Sequence, residues 1–288
     1  MVKYTHSGHI QLKVAHERRT FVYDIVVIGS GPAGLSAAIT ARMRSKSVAV
    51  ISNLRTGSGL YKAPKVDNYP GFPAISGAEL LNKFSLHAAG TGAEIIQGRV
   101  TSILPMGEQF GVSYGSEIAA AKAVILATGV VQTSLFPGEE ALLGSGVSYC
   151  ATCDGMLYRG KKVCVVCLSP DAEEEAAFLE SIGCEVVRLT TKNIVINGEH
   201  KVASVMADGV EIPCDGVFIL RPSIAPATLV PGLLTAGGHI QVDPRMRTNI
   251  PGIFAAGDCT GAPYQVAKAV GEGLVAALSA VEYLAGAK

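Results

Sequence analysis

An apolar run at residues 25–28 stops at a glycine-rich turn and a helix, and a strand, helix and strand follow in the same order over residues 163–189. A last apolar strand, glycine turn and alanine-rich helix occupy residues 253–284. Together these predict an α/β fold of two Rossmann-like, dinucleotide-binding units, the second inserted in the first and degenerate.

Each element has its own signal. Ile25, Val26, Val27 and Ile28 are continuously apolar, as in a parallel strand buried on both faces, and a helix opens at Pro32. Residues 48–51 read as a second strand. Residues 163–166 form another, the acidic, alanine-rich stretch 171–182 has helical spacing, and residues 185–189 return to a strand. The last helix is expected to start near Gln265. Repetition of the strand-helix-strand unit hints at a duplicated plan. Element order then divides the chain into a discontinuous domain, 23–130 and 229–288, interrupted by residues 131–228. Residues 1–22 read as a flexible N-terminal extension, whose polar first twenty residues carry His6, His9 and His16 without a helical or strand period.

Composition narrows the function. A chain of 288 residues buries roughly 75% of its unfolded surface, and its 49% hydrophobic, 17% charged composition with 33 glycines suits a turn-rich enzyme. Formal net charge is zero and no long basic run occurs, which argues against nucleic acid as a partner. No apolar stretch reaches the roughly 18 residues needed to span a bilayer, and no signal-peptide core is visible. We therefore expect no membrane partner and a cytoplasmic location, where any disulfide among the seven cysteines is transient and catalytic.

Gly29, Gly31 and Gly34 form GxGxxG, within the run Gly29-Ser30-Gly31-Pro32-Ala33-Gly34. The first glycine permits a tight turn, the second lets backbone approach a pyrophosphate, and the third lets helix pack closely on strand. A ribose-binding carboxylate is expected about twenty residues on. Ser52 and Asn53 stand there instead, which weakens a simple NAD reading and leaves Asn53 as the candidate cofactor contact. Ala127-Thr128-Gly129 and Ala256-Gly257-Asp258 resemble signatures of flavoproteins with two dinucleotide folds, which favours FAD. That resemblance implies that Asp258 contacts the FAD linker and that backbone at Gln265, Val266 and Ala267 approaches the isoalloxazine ring. From the residues alone, Asp258 also suits a helix cap.

Cys150-Ala151-Thr152-Cys153-Asp154 sets two cysteines at the CxxC spacing of a thiol-disulfide exchange centre. Asp154 suits proton transfer, because a carboxylate beside the pair opposes a thiolate but can carry its proton. Cys150, Cys153, Cys164 and Cys167 also have a short zinc-ribbon spacing. Against zinc, Cys164 and Cys167 fall three apart in a strand and point to opposite faces, so both read as small buried hydrophobes. Cys184, Cys214 and Cys259 are isolated and read as packing residues.

The chain resembles low-molecular-weight thioredoxin reductases in its glycine turn, Asn68-Tyr69-Pro70-Gly71-Phe72, Cys150–Gly155 and the final Gly257-Asp258, over nearly everything after residue 22. The resemblance implies FAD binding with Asn68 in the cofactor site, thioredoxin as partner and a homodimer. It also implies that Cys153 faces the flavin, Cys150 attacks the partner's disulfide and Asp154 is the acid and base.

One region departs from that family. Members that use NADPH carry a second glycine turn and then basic residues for the 2′-phosphate. Here the turn is Cys167-Leu168-Ser169-Pro170-Asp171-Ala172, and Leu189-Thr190-Thr191-Lys192 replaces paired arginines. Side chains fill the space a pyrophosphate needs. This loss resembles the ferredoxin-dependent flavin thioredoxin reductases and implies ferredoxin as electron donor. Arg159, Lys161, Lys162, Arg245 and Arg247 are candidates for docking such an acidic carrier. The competing readings are an NADPH-dependent reductase with a degenerate turn and a non-enzymatic zinc or redox-sensing module.

Overall fold

A computed structural model describes residues 21–53, 59–130, 135–169, 172–221 and 225–286. Residues 1–20 of the expected N-terminal extension lie outside the described residues, as do Pro170 and Asp171 of the degenerate turn, while Val22, expected in the extension, already belongs to the first strand.

The first unit starts with β1 (Val22–Ile28), α1 (Pro32–Met43) and β2 (Val48–Ser52), which pairs parallel to β1. Short α2 (Gly59–Lys62) and longer α3 (Gly77–Gly90) cross to β3 (Glu94–Gln97) beside β2. An antiparallel meander follows, β4 (Val100–Met106), β5 (Gln109–Tyr114) and β6 (Glu117–Leu126). β6 is long enough to serve two purposes. Its first half pairs with β5, while its second half pairs parallel with β1, which gives the order β3-β2-β1-β6-β5-β4.

The inserted unit holds β7 (Val147–Ser148), α4 (Ala151–Asp154), β8 (Lys162–Cys167), α5 (Ala172–Ser181) and β9 (Glu185–Leu189). It continues through a second meander, β10 (Ile194–Asn197), β11 (Ser204–Ala207) and β12 (Val210–Pro213), to β13 (Gly216–Leu220). The parallel order β7-β13-β8-β9 repeats the plan of the first sheet. α6 (Pro226–Leu229) and the hairpin β14 (Thr235–Ala236) and β15 (His239–Ile240) lead back to β16 (Ile253–Ala255) beside β6, and α7 (Val266–Gly286) closes the chain. The duplication is incomplete. Between β2 and β4 run α2, α3 and β3, whereas only residues 190–193 separate β9 from β10.

Alternation along the strands makes the layers. Val26 and Ile28 face a core closed by Ile103 and Val112 of the meander, while Ile25 and Val27 face α1 and α7. In the inserted unit Cys164 and Val166 face one core, and Val163 and Val165 the other.

α7 corrects one expectation, that no apolar stretch is long enough to span a bilayer: it has 21 residues with a mean hydropathy of 1.3 and is long and apolar enough by length and composition. Its small residues nonetheless bury one face: Ala269, Gly273, Ala276, Ala277 and Ala280 are inward. Ala276, Ala277 and Ala280 share a core with Ala37 and Ala41 of α1. A β-carbon on Gly273 would lie 2.1 Å from Ala33 O, so glycine sets how closely the helices approach. Gly273→Ala is expected to destabilise the apoprotein by about 1–3 kcal/mol through overpacking, read as a lower urea midpoint. An unchanged midpoint would show that the helices are not tightly opposed there.

Candidate functional site

The glycine turn separates its three glycines by what surrounds them. Gly29 has φ +109°, and a β-carbon there would lie 2.3 Å from Ala127 O; one on Gly34 would lie 1.9 Å from Gly29 O. Both are required by packing. A β-carbon on Gly31 would meet nothing within 4 Å, so this glycine borders open space at the start of α1. No side chain caps α1, whose Pro32 stands in the first turn, and its N–H groups remain available to phosphate oxygens. Ser52 Oγ donates to Ser30 Oγ at 2.7 Å, tying the end of β2 to the turn, and Asn53 follows directly.

β6 ends at Leu126 and leads into Thr128 and Gly129, the latter with φ +72°, and the neighbouring β16 ends at Ala255 and leads into Gly257 and Asp258. Gly257 has φ +87°, and its missing β-carbon leaves room for Ala33 Cβ. Thr128 Oγ1 and Asp258 Oδ1 are buried without a hydrogen-bond partner, so Asp258 caps no helix through that oxygen. Burial pushes its carboxyl up from the usual range against the pull of Lys268, with Glu272 adding to the rise. Asn68 Nδ2 donates to Gln265 Oε1 at 2.7 Å and joins two predicted cofactor residues that are far apart in sequence. Val266 packs on the same small core, Val66, Ile75 and Leu80, as Tyr69 and Phe72, while Ala267 is exposed. The open glycine, the uncapped helix and the buried unpartnered oxygens are features that would suit the phosphates and linker of an FAD.

The sequence reading missed the clamp that shapes this end. Lys268 Nζ donates to Gly257 O, Thr260 Oγ1 and Gly261 O at 2.9, 3.1 and 2.6 Å, and Glu272 Oε2 accepts from Gly257 N and Thr260 Oγ1. A Lys-Glu pair four apart in an alanine-rich helix was its only sequence signal.

Cys150 and Cys153 form a disulfide with Cα atoms 5.3 Å apart. Cys150 is buried and ends β7's approach to α4, and its Sγ accepts from Cys153 N at 3.1 Å. Cys153 is exposed, 3.8 Å from Thr101 Oγ1 and 3.7 Å from Gly115 O of the first unit. Ser148 Oγ donates to Asp154 Oδ2 at 2.7 Å and also accepts from Cys150 N, so it sets the carboxylate beside the pair. A buried Glu139–Arg221 ion pair was also missed. Tyr149 donates to Glu139 Oε1 at 2.8 Å and packs against cores of both units.

The remaining cysteines do not converge as ligands. Cys164 and Cys167 enter opposite cores, as their spacing indicated. Cys214 is a correction: it hydrogen-bonds the Cys164 thiol, which raises the Cys164 pKa. Cys259 donates to Ala256 O at 3.3 Å and burial pushes its thiol up to about 11; Cys184 donates to Tyr158 O at 3.2 Å. Several docking candidates are engaged internally. Arg245 pairs with Glu282, Arg247 with Asp243 and Lys162 with Glu185, while Lys161 donates to Leu157 O; Arg159 is exposed.

Residues 23–198 and 187–273 match the pyridine nucleotide-disulphide oxidoreductase family model. The thioredoxin reductase of Listeria innocua is 34% identical over 91% of this chain and 94% of its own length. A ferredoxin-flavin thioredoxin reductase from Clostridium acetobutylicum is 42% identical, with TM-score 0.84 over 92% of this chain and 98% of that one. Lactococcus lactis thioredoxin reductase in its FR conformation is 31% identical, with TM-score 0.57 over 91% and 99%. The chain belongs to the pyridine nucleotide-disulphide oxidoreductase family, among the FAD-dependent thioredoxin reductases.

Gly31→Val should fold like wild type but purify with little flavin, because its side chain enters only the open space at α1; full flavin content would contradict this assignment. For Asp258, a folded pKa above the unfolded value of about 3.9 means ionisation costs stability, absent at lower pH and growing as pH rises through the folded value. Asp258→Asn apoprotein is expected to be more stable than wild type near pH 7, an advantage that shrinks towards about pH 4 in unfolding curves.

Proposed function

We propose that the protein reduces thioredoxin with electrons taken from ferredoxin, through FAD and then the Cys150–Cys153 disulfide. The observation that carries this reading is the second unit. Where an intact unit would seat a pyrophosphate, the first turn of α5 carries Glu173, Glu174 and Glu175, and the four-residue link 190–193 replaces the crossover that completes the first unit. These carboxylates occupy the positive helix end and repel phosphate. The first unit keeps its glycine turn.

FAD, when bound, supplies the redox chemistry that joins one-electron and two-electron partners. Two electrons and two protons open the disulfide to the thiols of Cys150 and Cys153. Cys150 is then activated by the N–H of Cys153 and, as a thiolate, attacks a thioredoxin sulfur to form a mixed disulfide. Cys153 attacks Cys150 Sγ, which closes the pair and releases reduced thioredoxin. Asp154, held by Ser148, carries the proton. Cys150 is buried in the present arrangement, so it reaches thioredoxin after the inserted unit moves. The driving force is adequate: potentials near −400 mV for a plant-type ferredoxin and −270 mV for thioredoxin differ by about 130 mV, roughly 6 kcal/mol for two electrons.

The enzyme works as a homodimer in the cytoplasm, where Cys164, Cys167, Cys184, Cys214 and Cys259 stay reduced. Arg159, exposed close to α4, is the candidate for meeting the acidic carrier. Anaerobic titration tests the reading. Reduced ferredoxin is expected to bleach the flavin and release thiols on thioredoxin, while NADPH leaves the spectrum unchanged. Cys150→Ser should still accept electrons at the flavin but pass none to thioredoxin. Bleaching by NADPH alone at the ferredoxin rate would establish the pyridine-nucleotide reading instead.

A further inference from the structure

Arg99 sits in the two-residue link between β3 and β4 of the first unit, yet its side chain reaches into the second. Its Nη1 lies 3.1 Å from Glu175 Oε1, and its Nη2 donates to Ser169 Oγ at 2.8 Å. Both charged side chains are largely withdrawn from water, 9% and 18% exposed. Ser169 belongs to the turn after β8 and Glu175 to the first turn of α5, the two places where a dinucleotide phosphate would rest in an intact unit. Glu175 also extends the connection. Its Oε2 accepts from Ala151 N at 2.9 Å, at the start of the helix that holds Cys153 and is capped by Cys150. A continuous chain of polar contacts therefore runs from the first unit through Arg99 and Glu175 to the backbone between Cys150 and Cys153.

We propose that Arg99 and Glu175 form a clasp that has taken over the lost phosphate position and holds the disulfide against the FAD unit for reduction. Arg99 is in this sense a positioning residue. It touches neither cysteine, but through Glu175 it fixes the orientation of α4, and Cys153 rests beside Thr101, two residues along the same chain. A buried ion pair repays much of its attraction as desolvation, so its main effect is to select one arrangement of the two units over others. The same balance lets the clasp open when Cys150 must meet thioredoxin. Phosphate binding would compete for the same guanidinium and the same helix end, so the clasp and a bound pyridine nucleotide exclude each other.

This inference rests on the proposed passage of electrons from flavin to Cys150–Cys153, and the experiment separates the two. Holoenzyme is photoreduced under anaerobic conditions with EDTA as sacrificial electron donor, and transfer to the disulfide is followed by flavin reoxidation and thiol counting. Separately, dithiol-reduced enzyme is freed of reductant and mixed with oxidised thioredoxin, and amide hydrogen exchange is read over residues 151–154. Arg99→Gln is expected to slow the flavin-to-disulfide step roughly tenfold or more, as loss of positioning does, with Arg99→Lys between it and wild type. Exchange between the pre-reduced variant and thioredoxin should not slow, and the amides of α4 should exchange faster. Glu175→Gln keeps an acceptor for Ala151 N while losing the ion pair, and should show the same pattern if Arg99→Gln fails to fold. Transfer at the wild-type rate, or equal slowing of transfer and exchange, would overturn the clasp. Failure of wild-type enzyme to pass electrons from reduced flavin to the cysteines would instead overturn the functional reading beneath it.

Discussion

Backbone atoms come too close for any β-carbon where β1, β6, β16, α1 and α7 meet. Gly34 lies against Gly29 O, Gly29 against Ala127 O, Gly257 against Ala33 and Gly273 against Ala33 O. Because these elements are drawn together at glycine, the strand ends and the N-terminus of α1 border one opening. Gly31 is left bordering open space, and the residues that follow β6 and β16 include Thr128 Oγ1 and Asp258 Oδ1, buried without a hydrogen-bond partner. The cofactor site is in this sense a by-product of close packing around a gap. The Lys268–Glu272 clamp then holds the loop after β16 in place.

The inserted unit shows what happens when the same strand plan is kept without that constraint. β8, α5 and β9 repeat β1, α1 and β2, and β13 takes the place of β6. The turn holds Ser169 where the first unit has glycine, and α5 begins with glutamates. A helix end needs negative charge near it, and here carboxylates of the chain supply what a phosphate would. Glu175 does more than that, since it meets Arg99 from the first unit and Ala151 N beside the disulfide.

Around the disulfide, local sequence and long-range packing divide the work. The separation of 3 from Cys150 to Cys153 closes the ring and Asp154 follows directly, while Ser148 orients that carboxylate. Tyr149, between Ser148 and Cys150, packs on the cores of both units and donates to Glu139, which Arg221 pairs. The exchange centre is thus connected to the linkers that join the two units.

Much of this architecture is legible in the chain itself. Short apolar runs located β1, β2, β8 and β9, and an alanine-rich stretch located α7, within a few residues, because which residues can be buried is a local property. GxGxxG and CxxC were legible because each works through neighbours a few residues apart. Tertiary structure alone decided the contacts between distant residues: Asn68 with Gln265, Cys164 with Cys214 and Arg99 with Glu175. It also decided that α7, apolar enough for a bilayer, buries its small-residue face on α1. A side chain's chemistry is written in the sequence, but its partner depends on how the whole chain returns on itself.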